Sequence, residues 1–343
     1  MHLARPRIGL VAVATATALT LAACGSDQGT DEAAADGGST DADSAGAEGS
    51  EQSGTVEVTD AQGTVQVPMP AERVMVTDNR VVRAMDEWGV EIVAAPLDIF
   101  PDDLSYAGDG SVVNLGNHGE PDLEAVVAAD PDLVLTGYRF QDYYEDIQDL
   151  VPDAAVVDTT TDEAQPLDEE LVRQLELVGQ ALGYEEEAQA MVEEFQGAID
   201  EAAQAYDPEQ TVMGLLTSGG DISYVAPVTG RSIGPVFEVL GLTPALEQEG
   251  GDSGHGDDIS VEAIAEANPD WLVVLDRDAA IAAEGDEYSS AEELIEESEA
   301  LQNVTAVQEG QIVYLPADFY LTEDMQAYTE LFTSMADAMG SAR

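Results

Sequence analysis

There is no lysine in this chain. All ten basic residues are arginine, set against 71 aspartates and glutamates, for a formal net charge of −61. A polyanion of that strength repels phosphate, which excludes a general nucleic-acid binder. It suits a surface kept soluble at high ionic strength, where the Debye length falls to ~3 Å at 1 M and self-repulsion is screened. Cysteine is nearly absent as well. Cys24 stands alone, so no disulfide framework holds the fold. Histidine occurs three times, so the place of each imidazole and each guanidinium is informative. No apolar run reaches the ~20 residues of a comfortable membrane span. What is present is ordinary: 44% hydrophobic residues over 343 positions, enough for about two domains with true cores.

The first residues explain the single cysteine. Arg5 and Arg7 precede an apolar stretch over residues 8–19, followed by Leu21-Ala22-Ala23-Cys24. That is the anatomy of a signal peptide over residues 1–23, with small side chains at the cleavage point. The last four residues are similar to the lipobox of bacterial lipoproteins, which implies lipidation of Cys24. The alternative is an ordinary secretory signal with an incidental cysteine. Two or more acyl chains, at ~0.8 kcal/mol per buried methylene, anchor a protein without a spanning helix. Residues 24–54 carry that cysteine and then an acidic Gly/Ser/Ala linker that cannot bury enough apolar surface to fold. As a flexible tether it reaches roughly 30 Å.

Folded sequence begins near Thr55. Alternation around an Ala-Gln-Gly turn predicts a β-hairpin over 55–59 and 64–68. Strands are expected over 73–77, 91–95, 133–136 and 155–158, separated by helices over 79–88, 124–130 and 140–150. Residues 97–115 are irregular and rich in Gly, Pro and Asp, and read as a long loop or short elements. This is the rhythm of a parallel α/β lobe, residues 55–166. Residues 167–209 break it. Apolar residues spaced by three or four from Ala188 to Tyr206 predict one long amphipathic helix over 184–206, a spine between lobes that limits their movement. A second α/β lobe follows over 210–343, with strands over 212–217, 222–226, 271–276 and 311–315 and a closing helix over 323–339. The fold class is therefore α/β, two Rossmann-like lobes joined by a single long interlobe helix. A repeat supports the pairing of lobes. Residues 124–132 read EAVVAADPD and residues 262–270 read EAIAEANPD, identical at five of nine positions, each a helix, a turn and then an apolar strand. A His-Gly pair precedes each copy, at His118 and His255.

Several residues qualify as functional. Gly230-Arg231-Ser232-Ile233-Gly234 fits the G-x-S-x-G elbow of serine hydrolases, although Pro227 interrupts the strand that should lead into it. Asp252, His255, Asp257 and Asp258 could surround a metal, yet match no standard loop. Arg139, Arg231 and Arg277 each follow a predicted strand. In open α/β folds the crevice lies at strand carboxyl ends, so these three can line one cleft and offer planar, permanently charged forks to an anion. Three unrelated ion pairs with the abundant carboxylates are the alternative.

Together, these features resemble the periplasmic siderophore-binding proteins of iron ABC importers, nearest to the subgroup for ferric catecholates, including tetradentate ones. The likeness runs from about Val56 to Gly340. It is carried by Glu120-Pro121-Asp122-Leu123-Glu124, Arg139-Phe140-Gln141-Asp142-Tyr143-Tyr144, Gly230-Arg231 with Val239-Leu240-Gly241, His255-Gly256 before Ser260-Val261-Glu262, Asp276-Arg277, and Asp318-Phe319-Tyr320-Leu321. The resemblance implies that Arg139, Arg231 and Arg277 surround an anionic ferric siderophore. It implies that His255 and Tyr320 complete the iron shell where the siderophore leaves sites open; imidazole and phenolate both suit iron. It implies that Glu124 and Glu262, one per lobe, dock onto the permease of an importer with its ATPase. The expectation is a monomeric, non-enzymatic lipoprotein on the outer face of the cytoplasmic membrane, with no intrinsic cofactor. Another chelate, cobalamin or haem, or a secreted hydrolase using Ser232, are the alternatives. By lobe symmetry, His118 is expected near the cleft.

Overall fold

The structure is a computed structural model that describes residues 54–248, 250, 256–281 and 288–342. The leader, Cys24, the linker and His255 lie outside the described residues. A hairpin opens the fold, β1 (Gly54–Thr59) against β2 (Thr64–Met69). The first sheet comprises β3 (Val74–Val76), β4 (Ile92–Ala95), β5 (Val113–Asn114), β6 (Leu133–Thr136) and β7 (Ala155–Asp158), in the order β5-β4-β3-β6-β7 and all parallel. Its helices are α1 (Val82–Glu87), α2 (Leu123–Ala129) and α3 (Tyr144–Leu150). The central strands β3 and β6 are buried at every position, as expected when helices cover both faces. Residues 97–115 hold short elements, two 3-10 turns (Leu97–Ile99 and Ser105–Gly108) and the edge strand β5, the second of the two expected forms.

Between the sheets run two helices rather than one, α4 (Leu167–Leu182) and α5 (Glu185–Ala205). Gly183, at φ 78°, takes the left-handed conformation that ends α4. Three acidic residues sit in the first turn of each helix, where the dipole favours negative charge. The two helices divide the work assigned to a single spine. Along α4, Leu171 and Leu175 pack in the core around α5, whereas Leu177, Val178 and Ala181 pack in the core of the first lobe. It is α4 that bridges both cores, while α5 belongs to the second.

The second sheet contains β8 (Thr211–Ser218), β9 (Asp221–Val225), β10 (Thr243–Pro244), β11 (Asp257–Asp258), β12 (Trp271–Asp276) and β13 (Ile312–Tyr314). Its order is β11-β9-β8-β12-β13, with β10 also on β8. Strand β9 runs antiparallel to β8, and β11 antiparallel to β9, while β10, β12 and β13 are parallel to their neighbours. Helices α6 (Val236–Leu240), α7 (Val261–Ala267), α8 (Arg277–Ile281), α9 (Ala291–Glu296), α10 (Thr305–Glu309), α11 (Phe319–Thr322) and α12 (Met325–Ser341) surround it. No helix among the described residues is long and apolar enough to cross a membrane.

The repeat turns out to be a capping device. Asp122 and Ser260 cap α2 and α7 by accepting from the backbone N–H three residues on. Asp130 and Asn268 end the helices in left-handed conformation, at φ 47° and 46°, where short polar side chains are tolerated. Then Asp132 accepts from the N–H groups of Glu72 and Arg73 at 2.9 and 3.0 Å, and Asp270 from that of Thr211 at 2.7 Å. Each copy thereby ties its helix to the start of the first strand of its own sheet.

Packing of α5 on α12 centres on fully buried Phe195, whose ring lies 5.9 Å from that of Phe332. Phe195→Ala is expected to cost about 3–5 kcal/mol, as burial-and-cavity losses for phenylalanine do. Urea unfolding monitored by circular dichroism measures this, and a loss below about 1 kcal/mol would contradict the assigned core.

Candidate functional site

Parallel strands deliver their following loops to one side of a sheet. Arg139 follows β6 in a short 3-10 turn (Tyr138–Tyr143), Arg277 follows β12 at the start of α8, and Tyr320 follows β13 in α11. Arg231 arrives differently. Strand β9 is antiparallel, so the carboxyl-end rule does not place it. A tight turn does, closed by Val228 N–H donating to the Gly234 carbonyl at 2.7 Å and Gly234 N–H to that of Gly230 at 3.0 Å. A Cβ on Gly230 or Gly234 would sit within 2.7 Å of backbone atoms, so both glycines are required there.

The three arginines converge on Tyr320. Their guanidinium carbons lie 4.4 Å (Arg231), 5.1 Å (Arg277) and 5.3 Å (Arg139) from its ring centroid, within cation–π range. Arg139 also donates to the Tyr320 carbonyl at 2.9 Å and Arg277 to Ser218 Oγ at 3.0 Å. Burial alone would raise the Tyr320 phenol. A hydrogen bond with Arg277 and the charges of Arg231, Arg277 and Arg139 outweigh it and pull the phenol below its ordinary value. A phenol so placed gives up its proton to an electrophile more readily, as a hard anionic ligand for Fe(III) must.

Sequence reasoning passed over a fourth cation. Arg80, in the turn between β3 and α1, stacks on the Tyr138 ring at 3.8 Å and donates to Thr161 Oγ1 at 2.6 Å. The same signal used for Arg139, an arginine just beyond a strand, marks it too. Burial, then the charges of Arg231 and Arg80, bring Arg139 down to about 10, and burial lowers Arg231 as well. The Nε groups of Arg80, Arg139 and Arg277 are buried without a hydrogen-bond partner among the described residues. Buried donors left unmatched are costly, so the site favours an occupant rich in acceptor oxygens.

Beneath the arginines lies Glu323, fully buried. Arg231 grips it with Nε at 2.9 Å and a terminal nitrogen at 2.7 Å; Arg80 stands at 3.8 Å; Tyr138 and Ser232 donate their hydroxyls to it. The Ser232 hydroxyl, expected as a possible nucleophile, is committed to this carboxylate, and no described imidazole reaches it. Next to it, Asp324 caps α12 through Ala327 N–H at 2.7 Å and pairs with Arg83 of α1 at 3.2 Å; Arg83 also meets Asp318 at 2.5 Å. Residues 318–324 of the second lobe are thus clasped by α1 and its preceding turn in the first.

The remaining expected residues separate. His118 is exposed on the loop after β5, its carbonyl accepting from Tyr143 Oη at 3.1 Å. Incomplete hydration and then the charges of Arg139 and Arg231 lower its imidazole. Asp257 and Asp258 form β11, and among the described residues no three His, Cys, Asp or Glu are grouped to hold a metal. Asp252, like His255, lies outside the described residues. Glu124 and Glu262 are exposed in the first turns of α2 and α7. Since β11 runs in the sense of β8, both helices start at the cleft-side edge of their sheets.

A family model described as periplasmic binding protein matches residues 74–319. The chain is 30% identical over 255 residues to the ferric-anguibactin-binding protein FatB of Vibrio anguillarum, covering 73% of this chain and 77% of FatB. It is 26% identical over 278 residues to the petrobactin-binding protein YclQ of Bacillus subtilis, covering 80% and 84%. The crystal structure of YclQ superposes with a TM-score of 0.71 at 25% identity, over 83% of this chain and 98% of that one.

The pH dependence of stability reads out the buried carboxylate. Burial pushes Glu323 up to about 7 against the charge of Arg80. A carboxyl raised on folding contributes stability that is complete below its unfolded value and is lost as pH rises through about 7. Between pH 5 and 8, Glu323→Gln is expected to lose about 2–3 kcal/mol less stability than the parent protein. Urea titrations of both proteins at the two pH values measure this; equal losses would show Glu323 ionised throughout.

Proposed function

The chain belongs to the periplasmic binding protein family, and we propose that it captures an anionic ferric siderophore, catecholate-type by preference, between lobes 55–166 and 210–343. The observation that carries this reading is the convergence of Arg139, Arg231 and Arg277 on the ring of Tyr320. Permanently charged planar forks match the oxygens of a ferric chelate. On a chain of net charge −61 they form a local positive site. The names of FatB and YclQ, a ferric-anguibactin binder and a petrobactin binder, point the same way. In this reading Tyr320 and His255 serve as iron ligands for complexes that leave coordination sites open, and the protein binds rather than transforms its cargo. Lipidation at Cys24 tethers it to the outer face of the cytoplasmic membrane, and Glu124 and Glu262 dock the loaded protein onto an ABC permease.

Quenching of intrinsic fluorescence by ferric chelates tests the binding claim. Saturable quenching by ferric catecholates, and none by cobalamin, is expected; folded protein that answers to no ferric chelate would end the reading. Tyr320→Phe and His255→Ala are each expected to weaken a tetradentate ferric bis-catecholate about tenfold more than a hexadentate ferric triscatecholate. Equal losses for both would remove direct ligation. Glu124→Gln with Glu262→Gln is expected to leave chelate affinity unchanged while lowering uptake in cells by about tenfold or more. Unchanged uptake would leave the two glutamates as solvated carboxylates at helix starts.

A further inference from the structure

Glu323 is hard to explain as a structural ion-pair partner alone. It is contacted from both lobes, by Arg80 and Tyr138 of the first and by Arg231 and Ser232 of the second. Three members of this knot are non-glycine residues in left-handed conformation: Tyr138 at φ 46°, Ser232 at φ 65° and Glu323 at φ 46°. Such backbone is unfavourable for a residue with a side chain and persists where the surroundings over-determine it, as they do at ligand clamps. The Ser232 turn is further fixed by Tyr328 of α12, which donates to the Ser232 carbonyl at 2.9 Å.

Exposure separates the two sides of the knot. The Glu323 side chain is 1% exposed, whereas those of Arg80, Arg231 and Arg277 are 12%, 21% and 24% exposed. Arg231 presents two nitrogens to Glu323 and Arg80 stands beside it, and both side chains stay partly exposed where the carboxylate does not. A bound anion meets the guanidiniums first and the carboxylate only through them.

We propose that Glu323 is the protein's own counter-anion at the cleft floor and that it sets how much negative charge the captured complex carries. The inference deepens the ferric-siderophore reading and rests on it. Fixed beneath Arg80 and Arg231, the carboxylate cancels part of their field and repels any anion they hold, more strongly as the charge on that anion grows. A monoanionic complex is accepted with little penalty. A trianionic one is resisted, which gives the site discrimination that four arginines alone would not supply. The carboxylate also keeps the arginines together and aimed before any complex arrives.

The test compares two ferric catecholates on one protein: a trianionic triscatecholate and a monoanionic bis-catecholate. Both are titrated by fluorescence quenching at fixed ionic strength and pH 8. Glu323→Gln is expected to improve the affinity ratio in favour of the trianion by about tenfold. The iron ligands are the same in parent and variant, so any contribution of Tyr320 or His255 cancels in this comparison. Ser232→Ala, which removes one hydrogen bond and no charge, is expected to leave the ratio within about twofold. Should Glu323→Gln fail to fold, the pair Arg80→Gln and Arg80→Gln/Glu323→Gln serves instead, since the double variant keeps the parent net charge. Adding Glu323→Gln in that background is again expected to raise the ratio. A ratio unmoved by Glu323→Gln in either background, with the parent protein binding both complexes, overturns this proposal alone. A parent protein that binds neither complex overturns the ferric-siderophore reading and this proposal with it.

Discussion

Guanidinium groups a few ångströms apart repel one another, and the cleft depends on the groups that offset this. Two kinds do so. Tyr320 places a ring with a negative face among Arg139, Arg231 and Arg277, and Tyr138 does the same for Arg80. Below them Glu323, once ionised above about pH 7, supplies a negative charge in a setting shielded from water. The dozens of carboxylates on the outer surface cannot substitute, because beyond a Debye length they are screened. Two of these three groups, Tyr320 and Glu323, sit on one short stretch, residues 318–324, which the first lobe holds through Arg83 and through the Asn79 amide donating to the Leu321 carbonyl. Lobe contact and charge balance are consequently one arrangement.

Much of this was legible in the sequence. Buried parallel strands require continuous apolar runs, and the alternation of such runs with helical periods gave the two lobes. Scarcity made Arg139, Arg231 and Arg277 stand out, since a chain with ten cations leaves few to scatter at random. Tyr320 followed from family resemblance, and the geometry brings it to the same three arginines. The repeat was visible as helix, turn and strand. Its chemical content, two N-caps, two left-handed aspartate or asparagine stops and two strand clamps, needed the hydrogen bonds.

Other features carried no separable signal. Glu323 is one of 71 acidic residues, and nothing local distinguishes a buried carboxylate from a solvated one. Arg83 sat within the helix expected over 79–88, where a charged residue reads as part of a solvated face. The helix expected over 184–206 coincides with α5, whereas α4 went unseen as a separate helix because residues 167–182 were read only as lacking strand signal. Arg231 stands over the Tyr320 ring with the other two arginines, but not for the reason expected. Strand direction depends on hydrogen-bond pairing, which a single strand's sequence does not encode.

The bridging of both cores by α4 bears on how fast such a protein can work. A helix whose apolar side chains are committed to two lobes resists their separation, so in the proposed function encounter, rather than lobe movement, sets the pace of capture. Encounter is opposed from a distance. An approaching anion feels the exterior of a −61 chain before it feels cations that are mostly covered. Salt weakens the long-range repulsion first and the contact attraction last. Added salt usually slows the association of oppositely charged partners; here it speeds the arrival of a like-charged one.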